Sequence, residues 1–399
     1  MGASRAQEHA VTEGTTDRED TSWRRWEQFL YNCGLFDDPY LEGFSIEERH
    51  RLLTAFAQSV RECTYSKSSK GYDNLVAGTC FAALDDVSKA FMATGRRNPQ
   101  LDRDGNKAFL LRRLYKGYKN LDPGVKHQKA IPFQILEDMC KQRTTTNALL
   151  VFLQLTMLAF FFAMRSCEYL FISGKKRRTL PLRKRNIVFL KNHRILPHDS
   201  PLLEEADAVS IYFEYQKNEE RNESVTQCAT GDPFACPVKA AARIIRRMQR
   251  EGASDWDYIF TFKDEHGKRK HLTAALALKF LRNYIKSIDY EGLGLHPDDI
   301  GLHSLRSSAA MAMYMNNIPV YTIMLLGRWS SDAFLRYIRK QVEQFSANVS
   351  RRMIQKPLYH HVPEISRDDP RSHNPLSAAA NAGMGSGFAI NRTVFSVWN

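Results

Sequence analysis

Two stretches near the C-terminal end decide the fold of this chain: GLHSLRSSAA at 301–310 and LGRWSSDAFLRYIR at 326–339. Together they contain four residues that suit work on a phosphodiester: His303, Arg306, Trp329 and Tyr337. An arginine meets phosphate oxygens in a fixed fork, a histidine can move a proton near neutral pH, and a tyrosine hydroxyl can act as a nucleophile. The three-residue spacing of the histidine and the arginine gives them one face of a helix.

These stretches resemble the tyrosine recombinases, the integrase superfamily that includes phage integrases and cousins of type IB topoisomerases. The run GRWSSDAFLRYIR is most similar to the recombinases of eukaryotic mobile elements of Crypton or DIRS type. The resemblance implies a mainly α fold: an all-helical N-terminal core-binding domain, then a mixed α+β catalytic domain with a small antiparallel β-sheet. It also implies a site-specific DNA recombinase that works through a 3′-phosphotyrosyl intermediate, without a cofactor or a metal.

The composition favours a nucleic-acid partner. The net charge is +13 and the pI is about 9.4, and basic residues recur in both halves of the chain, which suits double-stranded DNA. A length of 399 residues predicts two or three domains. Seven cysteines without a Cys-x-x-Cys pair argue against a disulfide framework and a common zinc site, so a reducing intracellular compartment is expected.

Composition and helical periodicity divide the chain into four parts. Residues 1–20 are polar and predict a disordered arm, and 21–127 predict a helical domain, which in the resembled family clamps DNA. Residues 128–352 predict the catalytic domain, and 353–399 predict a largely disordered tail.

The helical domain has recognisable start signals. Thr21 or Ser22 is expected to cap the first helix, and Ser45 opens a capping box. Further helices are expected over about 74–95 and 107–118. The last of these carries three basic residues that are predicted to bind DNA, although a solvated basic face is the ordinary alternative: Arg112, Arg113 and Lys116.

The apolar run 147–164 is nearly long enough to span a bilayer, but it contains Gln154 and Thr156 and leads into Arg165. A fully buried core helix over 147–172 explains it better. Strand-like alternation then predicts a small sheet with strands over 186–190, 208–215 and 224–228. Helices are expected from Pro237, from Thr273, around His303, over 319–326 and around Tyr337.

Arg165 stands at the end of the core helix, where a charge must meet a partner or face a cleft. An internal pair with Glu168 is the ordinary explanation. The resemblance instead implies that Arg165 is the first catalytic arginine and that Glu168 aims it. It also implies that Lys217, in a hairpin, protonates the departing oxygen, with Lys184, Lys191 and Lys239 as alternatives.

The resemblance assigns Trp329 as a donor to the phosphate and Tyr337 as the nucleophile. Both could be ordinary core aromatics, and Tyr314 and Tyr321 are nearby, but those two precede Trp329 and lack basic neighbours. DNA contacts are further expected from Arg328 and from a basic loop, which could equally be a nuclear import signal: Lys175, Lys176, Arg177 and Arg178.

The resemblance therefore implies a homotetramer that acts on two DNA duplexes in the nucleus, with no membrane and no nucleotide cofactor involved. Two other functions remain open at this point. One is a catalytically silent DNA-binding protein that keeps the fold. The other is a type IB topoisomerase-like enzyme that relaxes supercoils by the same chemistry.

Overall fold

A computed structural model describes residues 11–65, 74–124, 128–174, 179–216, 220–289, 291–331 and 335. Several predicted features lie outside these ranges and stay predictions: residues 1–10, Lys217, Tyr337, residues 353–399, and the basic loop Lys175, Lys176, Arg177 and Arg178.

Among its described residues, the first part of the chain forms four helices: α1 (Glu13–Asn32), α2 (Ile46–Arg61), α3 (Ala77–Ala93) and α4 (Phe109–Leu121). The predicted capping box of α2 is present, because the Ser45 hydroxyl accepts from the N–H of Glu48 and the Glu48 carboxylate accepts from the N–H of Ser45. Apolar side chains at helical spacing meet in one core, which includes Trp26, Phe56, Leu84 and Phe91. Each such buried side chain contributes about 1.5–3 kcal/mol.

The first helix begins earlier than the sequence analysis predicts. Residues 1–20 were expected to form a disordered arm, but α1 starts at Glu13 with Thr12 as its N-cap. Arg18 reaches α3, where its guanidinium donates to both carboxylate oxygens of Asp86 at 2.9 and 2.8 Å. This long-range pair holds a polar segment whose composition alone predicts disorder.

The second part contains helices α5 (Phe133–Lys141), α6 (Asn147–Phe161), α7 (Ser166–Tyr169), α8 (Pro237–Arg250), α9 (Ala274–Lys286), α10 (His303–Met315) and α11 (Val320–Gly327). The long apolar helix α6 is buried and packs against α5, α8 and α10, as a core helix does. In the ranges given above, no helix is both long and apolar enough to cross a membrane.

The strands are β1 (Ile187–Lys191), β2 (Arg194–Leu196), β3 (Ala208–Tyr215), β4 (Arg221–Cys228), β5 (Thr261–Lys263) and β6 (Arg269–His271). The first four form an antiparallel sheet in the order β2-β1-β3-β4, in which Ile211 lies opposite both Ile187 and Val225. Val209, Ile211 and Phe213 are buried, as the alternation predicts. The strands β2, β5 and β6 were not predicted, because a strand of three residues is too short to show a clear alternation of apolar and polar residues.

The core helix ends sooner than predicted, at Phe161 instead of residue 172. Ala163 then adopts the left-handed conformation with φ of 44°, and the N–H groups of Ala163 and Met164 donate to carbonyls of the last helical turn at 3.1 and 2.9 Å. This is a Schellman cap, which usually has glycine at the left-handed position. The turn redirects the chain so that Arg165 begins the separate helix α7.

The predicted fold class is confirmed: the first part is helical, and the second is mixed with a small antiparallel sheet. Two hydrophobic cores match this division, one between residues 26 and 118 and the other between residues 131 and 309. The boundary near residue 128 remains a prediction.

Candidate active site

Arg165 lies directly after the cap of α6. Its main-chain N–H donates to Oε2 of Glu168 at 2.8 Å, and its Nη1 donates to Oε1 of the same carboxylate at 3.1 Å. The Glu168 side chain is 1% exposed, whereas that of Arg165 is 17% exposed. A buried carboxylate needs such partners, and in return it fixes the direction of the guanidinium.

Arg306 lies one turn into α10 and is 1% exposed. Its guanidinium donates to the main-chain carbonyls of Ala163 and Gly327. The indole ring of Trp329 lies over the guanidinium, with the ring centre 4.3 Å from Cζ, which is a cation–π contact. The side chain of Arg306 thereby ties the end of α6 to the end of α11.

Helix α11 ends in the same type of cap as helix α6. Arg328 adopts the left-handed conformation with φ of 55°, and the N–H groups of Arg328 and Trp329 donate to carbonyls of the last helical turn at 3.1 and 2.9 Å. A Cβ on Gly327 would overlap the indole ring of Trp329. Glycine is therefore required at position 327, because the indole ring of Trp329 occupies the space that a Cβ would need.

Two consecutive carbonyls of this turn bring the two predicted catalytic arginines together. The Gly327 carbonyl accepts from Nη2 of Arg306, and the Arg328 carbonyl accepts from Nη2 of Arg165 at 3.4 Å. The arginines are far apart in the sequence, yet both are held at one turn. Two guanidinium forks so placed can face one anion.

Arg328, which was predicted to contact DNA, is instead buried, with 3% of its surface exposed. Its Nη2 donates to Oε2 of Glu168 at 2.9 Å, and its Cζ lies 3.6 Å from the centre of the Phe213 ring. Glu168 is thus shared by Arg165 and Arg328. Burial lowers the pKa of Arg328, and the charge of Glu168 partly opposes the shift.

Gln216 joins the site from the end of β3, although the sequence analysis did not identify it. It is fully buried, its Oε1 accepts from Nη1 of Arg165 at 3.2 Å, and its amide N–H donates to the Glu223 carboxylate. Burial raises the pKa of Glu223, and the neighbouring Glu220 adds to the rise. The only sequence signal for Gln216 is that it precedes Lys217.

Lys217, the lysine predicted to protonate the departing oxygen, lies outside the described residues. Each alternative lysine is engaged with another group: Lys184 with Asp255 at 2.9 Å, Lys191 with Glu205 at 3.1 Å, and Lys239 with the Asp232 carbonyl at 3.1 Å. The ammonium group of each alternative lysine is thus bound to a nearby oxygen.

His303 is the first residue of α10 and its side chain is exposed, one turn before the buried Arg306. Its main-chain N–H donates to Oε1 of Gln128 at 3.1 Å. A Cβ on Gly301 would overlap the Gln128 amide, so glycine allows this close approach. Trp329 is half-buried, as a residue that covers a cleft would be.

Three of the predicted DNA-binding residues lie on α4, and all are exposed: Arg112, Arg113 and Lys116. The buried residues of this helix are Leu111 and Tyr118. The helix therefore presents a basic face to solvent, and its contact with DNA stays a prediction.

Known structures resemble the chain as follows. XerH site-specific recombinase bound to its palindromic difH substrate is 14% identical, with 78% of this chain and 74% of that chain covered and a TM-score of 0.46. The Tn1549 transposon integrase with circular intermediate DNA is 12% identical, with 88% and 97% covered and a TM-score of 0.48. A lambda integrase dimer bound to a core site is 13% identical, with 90% and 94% covered and a TM-score of 0.45.

No protein-family model matches this chain, and a comparison with curated proteins also finds no match.

Proposed function

We propose that this protein is a site-specific DNA recombinase that cuts and rejoins strands through a 3′-phosphotyrosyl intermediate. The observation that carries the proposal is the convergence of Arg165 and Arg306 on the carbonyls of Gly327 and Arg328, with Trp329 over one guanidinium. These are three of the six residues that the resemblance assigns to catalysis, and they come from three different helix ends.

The proposed reaction is an in-line displacement at phosphorus. The phenolic oxygen of Tyr337 forms a bond to the scissile phosphate, and the bond from phosphorus to the 5′ oxygen breaks. His303 accepts the tyrosine proton, and Lys217 gives a proton to the leaving 5′ oxygen. The 5′-hydroxyl of a partner strand then reverses the step and joins the new ends.

The electrostatics of the site suit the negative charge that builds on the phosphate. Two guanidinium groups, of Arg165 and Arg328, donate to the buried carboxylate of Glu168, and a third, of Arg306, is held at the same turn by the Gly327 carbonyl. The excess positive charge is held in place by carbonyls and a carboxylate before any substrate arrives. Preorganised donors of this kind contribute about 3 kcal/mol each in the transition state.

The position of Gln216 supports Lys217 as the general acid. Gln216 is bonded to Arg165 at 3.2 Å, and Lys217 is the next residue in the chain. Because consecutive Cα atoms are about 3.8 Å apart, a residue that directly follows Gln216 starts near Arg165, which supports the assignment of the general acid to Lys217.

The proposal also covers the DNA partner, the origin, the cellular location and the oligomeric state of the protein. Double-stranded DNA is the substrate that suits a chain of net charge +13 with a basic exposed face on α4. From the resemblance alone we add a mobile-element origin of Crypton or DIRS type, a nuclear location, and a homotetramer on two duplexes.

A covalent trap tests the proposal. The full chain is expressed with its native flanking DNA, the cells are denatured, and DNA that is bound to protein is recovered. We expect adducts from the wild type and none from Tyr337→Phe. Tyr321→Phe is the matched control, because Tyr321 is 71% exposed and precedes Trp329, and it should retain adducts.

The other outcomes separate the alternatives. DNA binding without any adduct would identify a catalytically silent DNA-binding protein. Adducts at many unrelated sequences, with relaxation of supercoiled plasmid, would identify a topoisomerase-like enzyme.

A further inference from the structure

Arg328 has an unusual combination of burial and bonding. Its Nη2 donates to Oε2 of Glu168 at 2.9 Å and to the Phe162 carbonyl at 3.4 Å. Its Nε and Nη1 are buried and have no hydrogen-bond partner among the residues that the structure describes. Its guanidinium also packs on the Phe213 ring at 3.6 Å.

This arrangement carries two costs in stability. Unpaired buried donors lose their hydration without compensation, and a non-glycine residue in the left-handed conformation is strained. A glycine at this position of the cap would avoid both costs. The side chain of Arg328 is therefore better explained by what it contacts than by a gain in stability.

The contact that matters is the Glu168 carboxylate. Oε2 of Glu168 accepts from Nη2 of Arg328 and from the main-chain N–H of Arg165, and Oε1 accepts from Nη1 of Arg165. The carbonyl of Arg328 also accepts from Nη2 of Arg165 at 3.4 Å. Residue 328 thus holds the Arg165 guanidinium from two sides, through its carbonyl and through Glu168.

We propose that Arg328 is a positioning residue: it fixes the Glu168 carboxylate and so holds Arg165 in the orientation that stabilises the charged phosphate. The inference rests on the proposed strand-cleavage function. It replaces the expectation that Arg328 contacts DNA. In this proposal Arg328 binds Glu168, and Glu168 in turn orients the guanidinium of Arg165.

The test compares two substrates that differ only in charge. A nicked duplex with the site recovered from the covalent trap is made with a phosphodiester or a neutral methylphosphonate at the scissile position. A neutral substrate builds less negative charge, so it depends less on a well-aligned arginine. We measure the rate of adduct formation and the affinity for the duplex.

We expect Arg328→Met to slow adduct formation on the phosphodiester at least tenfold with little change in DNA affinity. On the methylphosphonate the loss should shrink to a few-fold, as it should for Arg165→Met. Arg328→Lys, which keeps the charge but not the fork, should show an intermediate loss and serves if the methionine variant does not fold. Equal losses on both substrates, or no loss at all, would overturn the inference.

Arg247 provides a matched control. It is also buried, at 3% exposed, but it donates to the carbonyls of Ile259 and Thr261 at 2.7 Å in another part of the same core. Arg247→Met should lower the melting temperature and affect both substrates alike.

A second measurement separates this inference from the proposed function. If Arg328 and Glu168 act as one unit, the double variant Arg328→Met/Glu168→Gln should lose less melting temperature than the two single losses added together. If the wild-type protein forms no adduct, the proposed strand-cleavage function is refuted. If the losses in melting temperature are additive, the coupling between Arg328 and Glu168 is refuted.

Discussion

Single residues at the end of α11 explain how buried arginines can serve a reaction. The guanidinium of Arg306 is held by two main-chain carbonyls and covered by Trp329, so it is bound and oriented before a substrate arrives. Such preorganisation removes the need to move dipoles during the reaction. The same turn supplies the carbonyl that orients Arg165.

Gly327 is the residue on which this turn depends most directly. Gly327→Ala adds a methyl group that would overlap the indole of Trp329, so we expect the ring to leave Arg306. Adduct formation should fall at least tenfold while DNA affinity changes little, as measured by trapping and a binding assay. An alanine variant with full cleavage activity would contradict the role assigned to the indole.

Gly117 supplies the control for this substitution. It lies inside α4 with open space around the position of a Cβ. Gly117→Ala should leave cleavage unchanged and raise stability by about 0.5–1 kcal/mol, because alanine is the better helix former.

The residues of the site differ in how well the sequence could predict them. Arg165, Arg306 and Trp329 could be named through the resemblance, Arg165 by its place at the end of the apolar helix and the other two by the stretches around them. Gln216 and Arg328 could not be assigned correctly, since their contacts depend on burial across elements that are distant in the chain. An exposed and a buried arginine look the same in a sequence.

At the scale of elements, helix ends decide the geometry of the site. The caps of α6 and α11 both place a non-glycine residue, Ala163 and Arg328, in the left-handed conformation. Hydrophobic periodicity predicted that both helices exist. It could not predict where α6 ends, because Phe162, Ala163 and Met164 continue the apolar pattern and remain buried beyond the last helical residue.

The ion pair that extends α1 gives a prediction about stability. Arg18→Met leaves the buried Asp86 without its bidentate partner, and we expect a loss of about 1–3 kcal/mol in the free energy of unfolding at pH 7. Denaturant unfolding measures this. An unchanged free energy would mean that the N-terminal turns of α1 contribute nothing to the fold.

The effect should depend on pH with a defined sign. Burial by itself would raise the pKa of Asp86, but the hydrogen bonds and charge of Arg18, together with the Ser22 hydrogen bond and the charge of Lys89, outweigh it, and the pKa is lowered. The stabilisation is therefore complete above the unfolded pKa of about 3.9 and is lost as the pH falls through the lower folded value. The difference between wild type and Arg18→Met should accordingly shrink below about pH 4.

At the scale of the whole molecule, the net charge of +13 and the exposed basic face of α4 predict salt-sensitive DNA binding. Replacing Arg112, Arg113 and Lys116 by glutamine should weaken binding and reduce the slope of log affinity against log salt by about 3, close to one per phosphate contact. Titration at several salt concentrations measures the slope. A slope equal to that of the wild type would remove α4 from the DNA interface.

The division into a helical part and a mixed part could be predicted from the sequence, because periodicities of 3.6 and 2 differ over long segments. The convergence of Arg165 and Arg306 could be anticipated only through the resemblance. Composition and periodicity carry no information about which helix ends meet, whereas the hydrogen bonds at Gly327 and Arg328 show it directly.

Peptide mapping of the trapped adduct identifies the tyrosine that carries the DNA, and the proposed cleavage requires it to be Tyr337. Trypsin cleaves after lysine and arginine, so Tyr337 falls in the tripeptide 337–339, whereas Tyr314 and Tyr321 share the peptide 307–328. After digestion of the DNA to a short remnant, mass spectrometry should find the nucleotide on the tripeptide 337–339. A nucleotide on the peptide 307–328, or on no tyrosine, would contradict the account.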